Sequence, residues 1–484
     1  MTGFSIRPIV FYQYECTMKV NQLLKLVLIA GIVLRIVLWC FQSNPSGDDG
    51  QRYLTEGLNM VRYGVFSTQY EVADGEIPLP SAHDMPLWPG IMAVVYWITD
   101  SVRATQYIAG AINIGLVLVG ALFLVALLKG KPFRLQEQNI MIALAVYLFM
   151  PESVIYSLFH MPDQLAVTSI IVALYCYFKG LDGNWKFLFG AFFMFLTAIY
   201  SKPICIPLSF ALIVAMPSIM TCPVKKRIAA LVLGFAVLAI GLYPWVLRNK
   251  CAFGTSGLNS IAGTNLYSCN WGWMVNQFPA DRMATEQMEM KEFESKIFGF
   301  DLMKRSKLQG KYAKEKLLTH FPDYVLFTIK QHPRLYVGTG SVAMFRYLGA
   351  ERLSNALVTM FASDKSTDKE VFNEKPYTPT EKFICGAVQI LSWLILLSGY
   401  LLVAIGIVKG SRDVVRKFKS SDCNFSAILI FFCPVLCLVL LALIIGPIAT
   451  TRYRLIMLPF FSVLAAYAYS GPQEKVKATH LEDN

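Results

Sequence analysis

Long apolar blocks alternate with short polar ones along this chain. The first apolar block, 20–41, carries only Lys25 and Arg35 as charges. Others fall at 104–128, 139–159, 164–178, 185–200, 204–220, 228–247, 383–408, 425–448 and 455–469. A helix needs about 20 apolar residues to cross a bilayer. The blocks therefore predict an all-α polytopic membrane protein, a bundle of about ten transmembrane helices, several of them short because they are locally broken. A shorter block at 86–99 opens with Pro86-Leu87-Trp88-Pro89-Gly90. Its prolines suit a helix start, and its length suits a helix lying in the interface. The 20–41 block is too long for a signal-peptide core and lacks a small-residue cleavage site, so it is expected to remain as the first span. Arg35 within it is expected to snorkel or to face the bundle interior.

The polar blocks divide the chain. An N-terminal membrane module covers 1–247 and includes a first outer loop at 42–103; a hydrophilic insert covers 248–382; a C-terminal module covers 383–484 and ends in a short tail. The insert begins with a Gly-, Asn-, Ser- and Trp-rich stretch, 251–277, that reads as loop. It continues with a charged helical pattern at 280–318 and a polar loop at 364–370. A cytoplasmic N-terminus puts Lys129, Lys131, Arg134, Lys179, Lys186, Lys225, Lys226, Arg227, Arg412, Arg416, Lys417 and Lys419 on the inner side, as the positive-inside rule requires. That orientation holds only if 86–99 does not cross. It places Asp48-Asp49, His160–Asp163, the turn at Lys202, the insert and Thr450–Arg454 outside.

Composition agrees. The 484 residues are 55% hydrophobic and 16% charged, against about 25% charged in soluble domains. The net charge of +12 lies mainly in inner loops and shows no aromatic-interleaved basic patch, so nucleic acid is not an expected partner. Of eleven cysteines, Cys40, Cys176, Cys205, Cys433 and Cys437 lie in apolar blocks, and none has zinc-ligand spacing. Cys251 and Cys269 lie in the insert, where a disulfide is one option.

Two features carry candidate chemistry. Gly47-Asp48-Asp49-Gly50-Gln51-Arg52-Tyr53 follows the first span directly. Paired carboxylates at a membrane edge are either a solvated turn or doing chemistry. Lys202, Arg248, Arg452 and Arg454 are basic residues on the outer side, each at the end of a span. They either reach lipid headgroups or face a phosphate in a membrane pocket, and two nearby acidic loops favour the phosphate.

These motifs together resemble the GT-C membrane glycosyltransferases, most closely the branch of the protein O-mannosyltransferases and aminoarabinose lipid A transferases. The resemblance rests on Asp49 four residues before Tyr53, Gly64-Val65-Phe66, Pro86–Pro89, Met161-Pro162-Asp163 opening a span, Pro244-Trp245-Val246-Leu247-Arg248-Asn249 closing one, and Arg452-Tyr453-Arg454 before the last. It implies a GT-C-like bundle with a mostly helical extracytoplasmic insert. The implied reaction moves a sugar from a polyprenyl-phosphate donor to an acceptor hydroxyl on a glycan, lipid or protein, with inversion. The family's base corresponds to Asp49 by its spacing to Tyr53, with Asp48 second. Asp163 corresponds to the second-loop acid, which orients the acceptor or shares a divalent metal ion with Asp49. Lys202, Arg248, Arg452 and Arg454 are candidates for the donor phosphate. Tyr53 and Trp88 are candidates for packing against sugar or prenyl chain, Trp88 also fitting an aromatic belt. His83 and Asp84 either bind acceptor or metal or form a solvated loop. His160 is expected to be structural. The implied setting is a bacterial inner membrane with the site facing the periplasm. The sequence departs from the branch in placing its hydrophilic insert before the last three spans, so no acceptor is implied.

A transporter or flippase of a lipid-linked or charged solute would use similar charges. It would place them near mid-bilayer between internal repeats, and neither is present. A polymerase or ligase of lipid-linked glycans would share the donor class.

Overall fold

The computed structural model describes residues 7–45, 47–131, 133–361, 376–419 and 451–469. Every regular element among them is a helix. Four stretches are long and apolar enough to cross a membrane: Asn21–Cys40, Val102–Lys129, Val224–Phe253 and Pro379–Arg412. Shorter apolar helices are Leu87–Thr99, Glu137–Phe149, Trp185–Ser201 and Cys205–Ile219. The block at 425–448 and the polar loop at 364–370 lie outside the described residues.

Helix α1 (Arg7–Cys40) is followed by α2 (Gly47–Tyr63), where the sequence reads as a polar loop. The acidic stretch is thus the first turn of a helix, not an isolated turn. Gly47 takes φ +53° and lets the chain enter it. Carboxylates in a first turn are favoured by the helix dipole. Tyr53, Leu54 and Leu58 share one face and bury it against Trp88, Met92 and Tyr96 of α3 (Leu87–Thr99). The approach is close: a Cβ at Gly57 would come within 2.8 Å of the Pro89 carbonyl oxygen. At 13 residues α3 spans about 20 Å, short of a bilayer core of about 30 Å.

Helix α4 (Val102–Lys129) precedes a break in the block at 139–159. Helix α5 (Glu137–Phe149) stops at Met150, and Pro151 starts α6 (Pro151–Tyr156). Proline has no N–H for the preceding turn and suits a new first turn. Asp163 then opens α7 (Asp163–Gly180). Helices α8 (Trp185–Ser201), α9 (Cys205–Ile219) and α10 (Val224–Phe253) follow. The largest apolar core joins α4, α5, α7, α8, α9 and the late helix Leu458–Ala466. Arg35 is fully buried and faces this interior. Its guanidinium donates to the carbonyls of Gly31 and Leu148 and to the hydroxyls of Ser153 and Ser157, each at 2.9 Å. Those four bonds replace the water a buried cation loses.

The insert has its own small core around Tyr267, Trp271, Met274, Leu317 and Phe327. The stretch read as loop holds a helical turn, Ile261–Asn265, and a π-helix, Leu266–Gly272. The charged pattern forms two helices, Ala280–Ile297 and Leu302–Thr319. Asp301 divides them by capping the second, its side chain accepting from the Lys304 N–H at 2.9 Å. Cys251 and Cys269 are both free thiols.

Candidate active site

The first residues of α2 and of α7 and the turn at Thr451–Arg454 come from distant parts of the chain and meet at one point. Arg452 joins them. Its Nε and Nη2 donate to the Asp163 carboxylate at 2.8–3.0 Å, and its Nη1 donates to Asp49 Oδ2. Lys202, which ends α8, donates to the other side of Asp163. On the far side of Asp49, Arg52 Nη1 donates to Oδ1 at 2.7 Å. Arg52 then reaches Asp84, with Nε to Oδ2 at 2.5 Å and Nη2 to Oδ1 at 3.3 Å. His83 Nδ1 closes the series 3.2 Å from Asp84 Oδ2.

The result is a continuous chain of alternating charge, Asp84, Arg52, Asp49, Arg452, Asp163, Lys202, with the His83 ring against Asp84 at one end. Three carboxylates face two guanidiniums and one ammonium, so the buried cluster is close to neutral without a further ion. Asp163 is fully buried and Asp84 nearly so, whereas the Asp49 side chain is 38% exposed. Asp49 is therefore the carboxylate of the three that a molecule from outside can reach.

Burial works to raise the pKa of Asp49, but Arg452 and Arg52 outweigh it and hold the group well below the usual carboxylate range. Asp163 is also held low: burial opposes, and Arg452 and Lys202 prevail. Glu56 goes the other way. It lies two helical turns beyond Asp49, fully buried, and both carboxylate oxygens have no hydrogen-bond partner among the described residues. Burial and then the neighbouring Asp84 push its pKa well above the usual carboxylate range. His160 is buried and pushed down to about 3 by burial, and its backbone carbonyl receives the Trp88 indole N–H at 3.0 Å, in keeping with a structural role.

Several sequence-based expectations change here. Arg454 does not face the cluster. It is 1% exposed and all five of its N–H groups are engaged: two on Glu152 at 2.7 Å, the others on the carbonyls of Leu335, Tyr336 and Gly338 at 2.7–3.0 Å. It has no donor left for a phosphate. Trp88 is fully buried and out of reach of sugar or prenyl chain. Tyr53 is 7% exposed and packs in the α2–α3 core, its ring 5.3 Å from the Arg52 guanidinium. Arg248 lies apart from Asp163, donating to the Ser81 carbonyl at 2.6 Å and stacking 5.1 Å from the Trp245 ring, beside a cavity of about 400 Å³. His83 and Asp84 are not a solvated loop, because Arg52 fixes Asp84. A metal ion shared by Asp49 and Asp163 does not fit, because the Arg452 guanidinium occupies the position between them. No group of three or more His, Cys, Asp or Glu is placed to hold a metal among the described residues. The Asp48 side chain lies outside the described residues.

No protein-family model matches the chain, and no curated protein matches it. Among solved structures it is similar to the archaeal oligosaccharyltransferase AglB from Archaeoglobus fulgidus in complex with an inhibitory peptide and a dolichol-phosphate, at TM-score 0.47 and 12% identity over 91% of this chain and 50% of that one. It is also similar to ArnT from Cupriavidus metallidurans bound to undecaprenyl phosphate, at TM-score 0.39 and 13% identity over 92% of this chain and 76% of that one. The chain spans about half the length of the oligosaccharyltransferase.

Sequence reasoning missed Arg52, Glu56 and Glu152. Arg52 and Glu56 carried a usable signal: three and seven residues after Asp49, they fall on the same face of a helix. That signal is invisible while the stretch is taken for a loop. Glu152 carried none, since its partner Arg454 is 302 positions away.

Proposed function

We propose that this protein is an integral-membrane glycosyltransferase that moves a sugar from a polyprenyl-phosphate donor to an acceptor hydroxyl on the extracytoplasmic side, with inversion and with Asp49 as general base. The observation that carries the reading is Arg452 holding Asp49 and Asp163 together, with Asp49 the reachable one. In the reaction, Asp49 takes the acceptor O–H proton as the acceptor oxygen bonds to the anomeric carbon. The bond from that carbon to the phosphate oxygen breaks, and polyprenyl phosphate leaves with the electron pair.

A base held low by two arginines is a weak base. Arg452 offers a way out. Three of its N–H groups are on carboxylates, and the two others have no partner among the described residues. A donor phosphate binding there would draw the guanidinium from Asp49 and let the carboxylate's proton affinity rise as the donor arrives. Asp163, itself held by Lys202, would keep Arg452 in place meanwhile.

The test is transfer by purified protein in membranes supplied with polyprenyl-phosphate sugars. Asp49→Asn should lower transfer by about 10²–10⁴-fold while the protein inserts and expresses normally. Full activity in Asp49→Asn would discard the mechanism. Turnover of polyprenyl-pyrophosphate sugars in place of the monophosphates would point to a glycan polymerase or ligase.

A further inference from the structure

The insert carries a second concavity, away from the ion-pair chain, of about 490 Å³. One wall is the π-helix Leu266–Gly272 and its continuation to Asn276; the other is one face of Ala280–Ile297. Trp273 is 41% exposed at this groove even though the insert has an apolar core that could have taken it. Gln287 Nε2 donates to Asn276 Oδ1 at 3.1 Å, which links the two walls and leaves an acceptor on Gln287 and donors on Asn276. Ser268 and Lys291 add a hydroxyl and an ammonium. The floor is rigid. Tyr267 donates to the Met290 carbonyl at 3.2 Å, and Glu294 is held by Arg305 at 2.5 Å and by Gln309 at 2.8 Å.

We propose that this groove binds a saccharide, and, resting on the function proposed above, that the saccharide is part of the acceptor. An exposed indole offers a flat apolar face to the C–H face of a sugar ring. Neighbouring amide donors and acceptors match adjacent ring hydroxyls, each of which both donates and accepts. An extended peptide would look for an unpaired strand edge, and the groove is walled by helices. The groove is also tied to the site. Ser260, six residues before the π-helix, donates its N–H to the Ala82 carbonyl at 2.7 Å, next to His83-Asp84.

The experiment titrates the full chain in lipid nanodiscs with mannopentaose, chitopentaose and a ten-residue Ser/Thr-rich peptide, by calorimetry. One of the oligosaccharides should bind and the peptide should not. Trp273→Ala should weaken that binding by about tenfold, and Trp273→Phe, which keeps a ring, by about threefold or less. Binding of the peptide alone, of none of the three, or with equal affinity by Trp273→Ala would overturn the proposal. Asp49→Asn serves as the separating control, because it should bind the oligosaccharide normally. If Asp49→Asn transfers sugar at full rate while saccharide binding persists, the proposed reaction fails and the groove stands. If binding is absent while transfer depends on Asp49, the groove fails and the reaction stands.

Discussion

Arg452 and Arg454 sit on one turn, two residues apart, and serve opposite ends. Arg454 is sealed against Glu152 and three carbonyls of the segment that returns from the insert. Arg452 bridges the acids that open two separate helices and, among the described residues, keeps two N–H groups uncommitted. The same side chain is a fastener where its partners use every donor and a binding group where they do not. Spacing and charge treat the pair alike; the supply of acceptors around each one separates them.

The first way to test this contrast is to remove the fastener. Arg454→Met leaves the Glu152 carboxylate buried without a partner, and loss of one member of a buried pair costs about 3–5 kcal/mol. Thermal or denaturant unfolding in detergent should register that loss, while transfer per folded molecule stays near normal. Adding Glu152→Gln should restore much of the stability, since no charge is then stranded. Unchanged stability in Arg454→Met would show that the pair does not hold the insert down.

Arg452→Gln should give the converse. Transfer should fall by about 10²–10³-fold, with a stability change smaller than that of Arg454→Met because Lys202 and Arg52 still neutralise Asp163 and Asp49. Arg452→Lys should recover only a small part of the rate, since a lysine cannot span two carboxylates and a phosphate at once. A variant that lost stability but kept its rate would reverse the assignment of the two arginines.

The membrane blocks were legible because a bilayer demands long uninterrupted apolar runs, and a run such as 104–128 has no other economical reading. The break at Met150-Pro151 was written in the sequence as a proline but masked by the apolar residues around it. Asp49, Asp163, Lys202 and Arg452 were legible as charges at the ends of apolar blocks. Their union was not, because it depends on how α2, α7, α8 and the turn at Thr451 converge. Arg454 shows the limit most plainly. Its charge and position fit a phosphate ligand, and only the distant Glu152 and the carbonyls at 335–338 reveal that its capacity is spent. In the insert, composition suggested loop at 251–277 because Gly, Asn and Ser are turn residues; Tyr267, Trp271, Met274 and Val275 in its core hold it helical instead.

The smallest expected effect concerns pH, and its sign distinguishes the bridge from a chance contact. Asp49 and Asp163 are both held below their ordinary values in the folded protein. Groups of that kind contribute stability that is fully present above the unfolded pKa of about 3.9 and is lost as pH falls through the lower folded value. The contribution of these two acids to the melting temperature should therefore be constant from neutral pH down to about pH 4 and fall only below that. Arg452→Gln removes the largest force opposing burial at Asp163 and leaves Lys202 in place, so the folded value moves up from its depressed position. A smaller depression leaves less stability to lose on protonation. The variant should therefore lose less stability than the intact protein as pH falls below about 4. Melting curves of the two proteins that run parallel below about pH 4 would mean that Arg452 does not set the charge of these acids, and the chain of ion pairs would lose its central link.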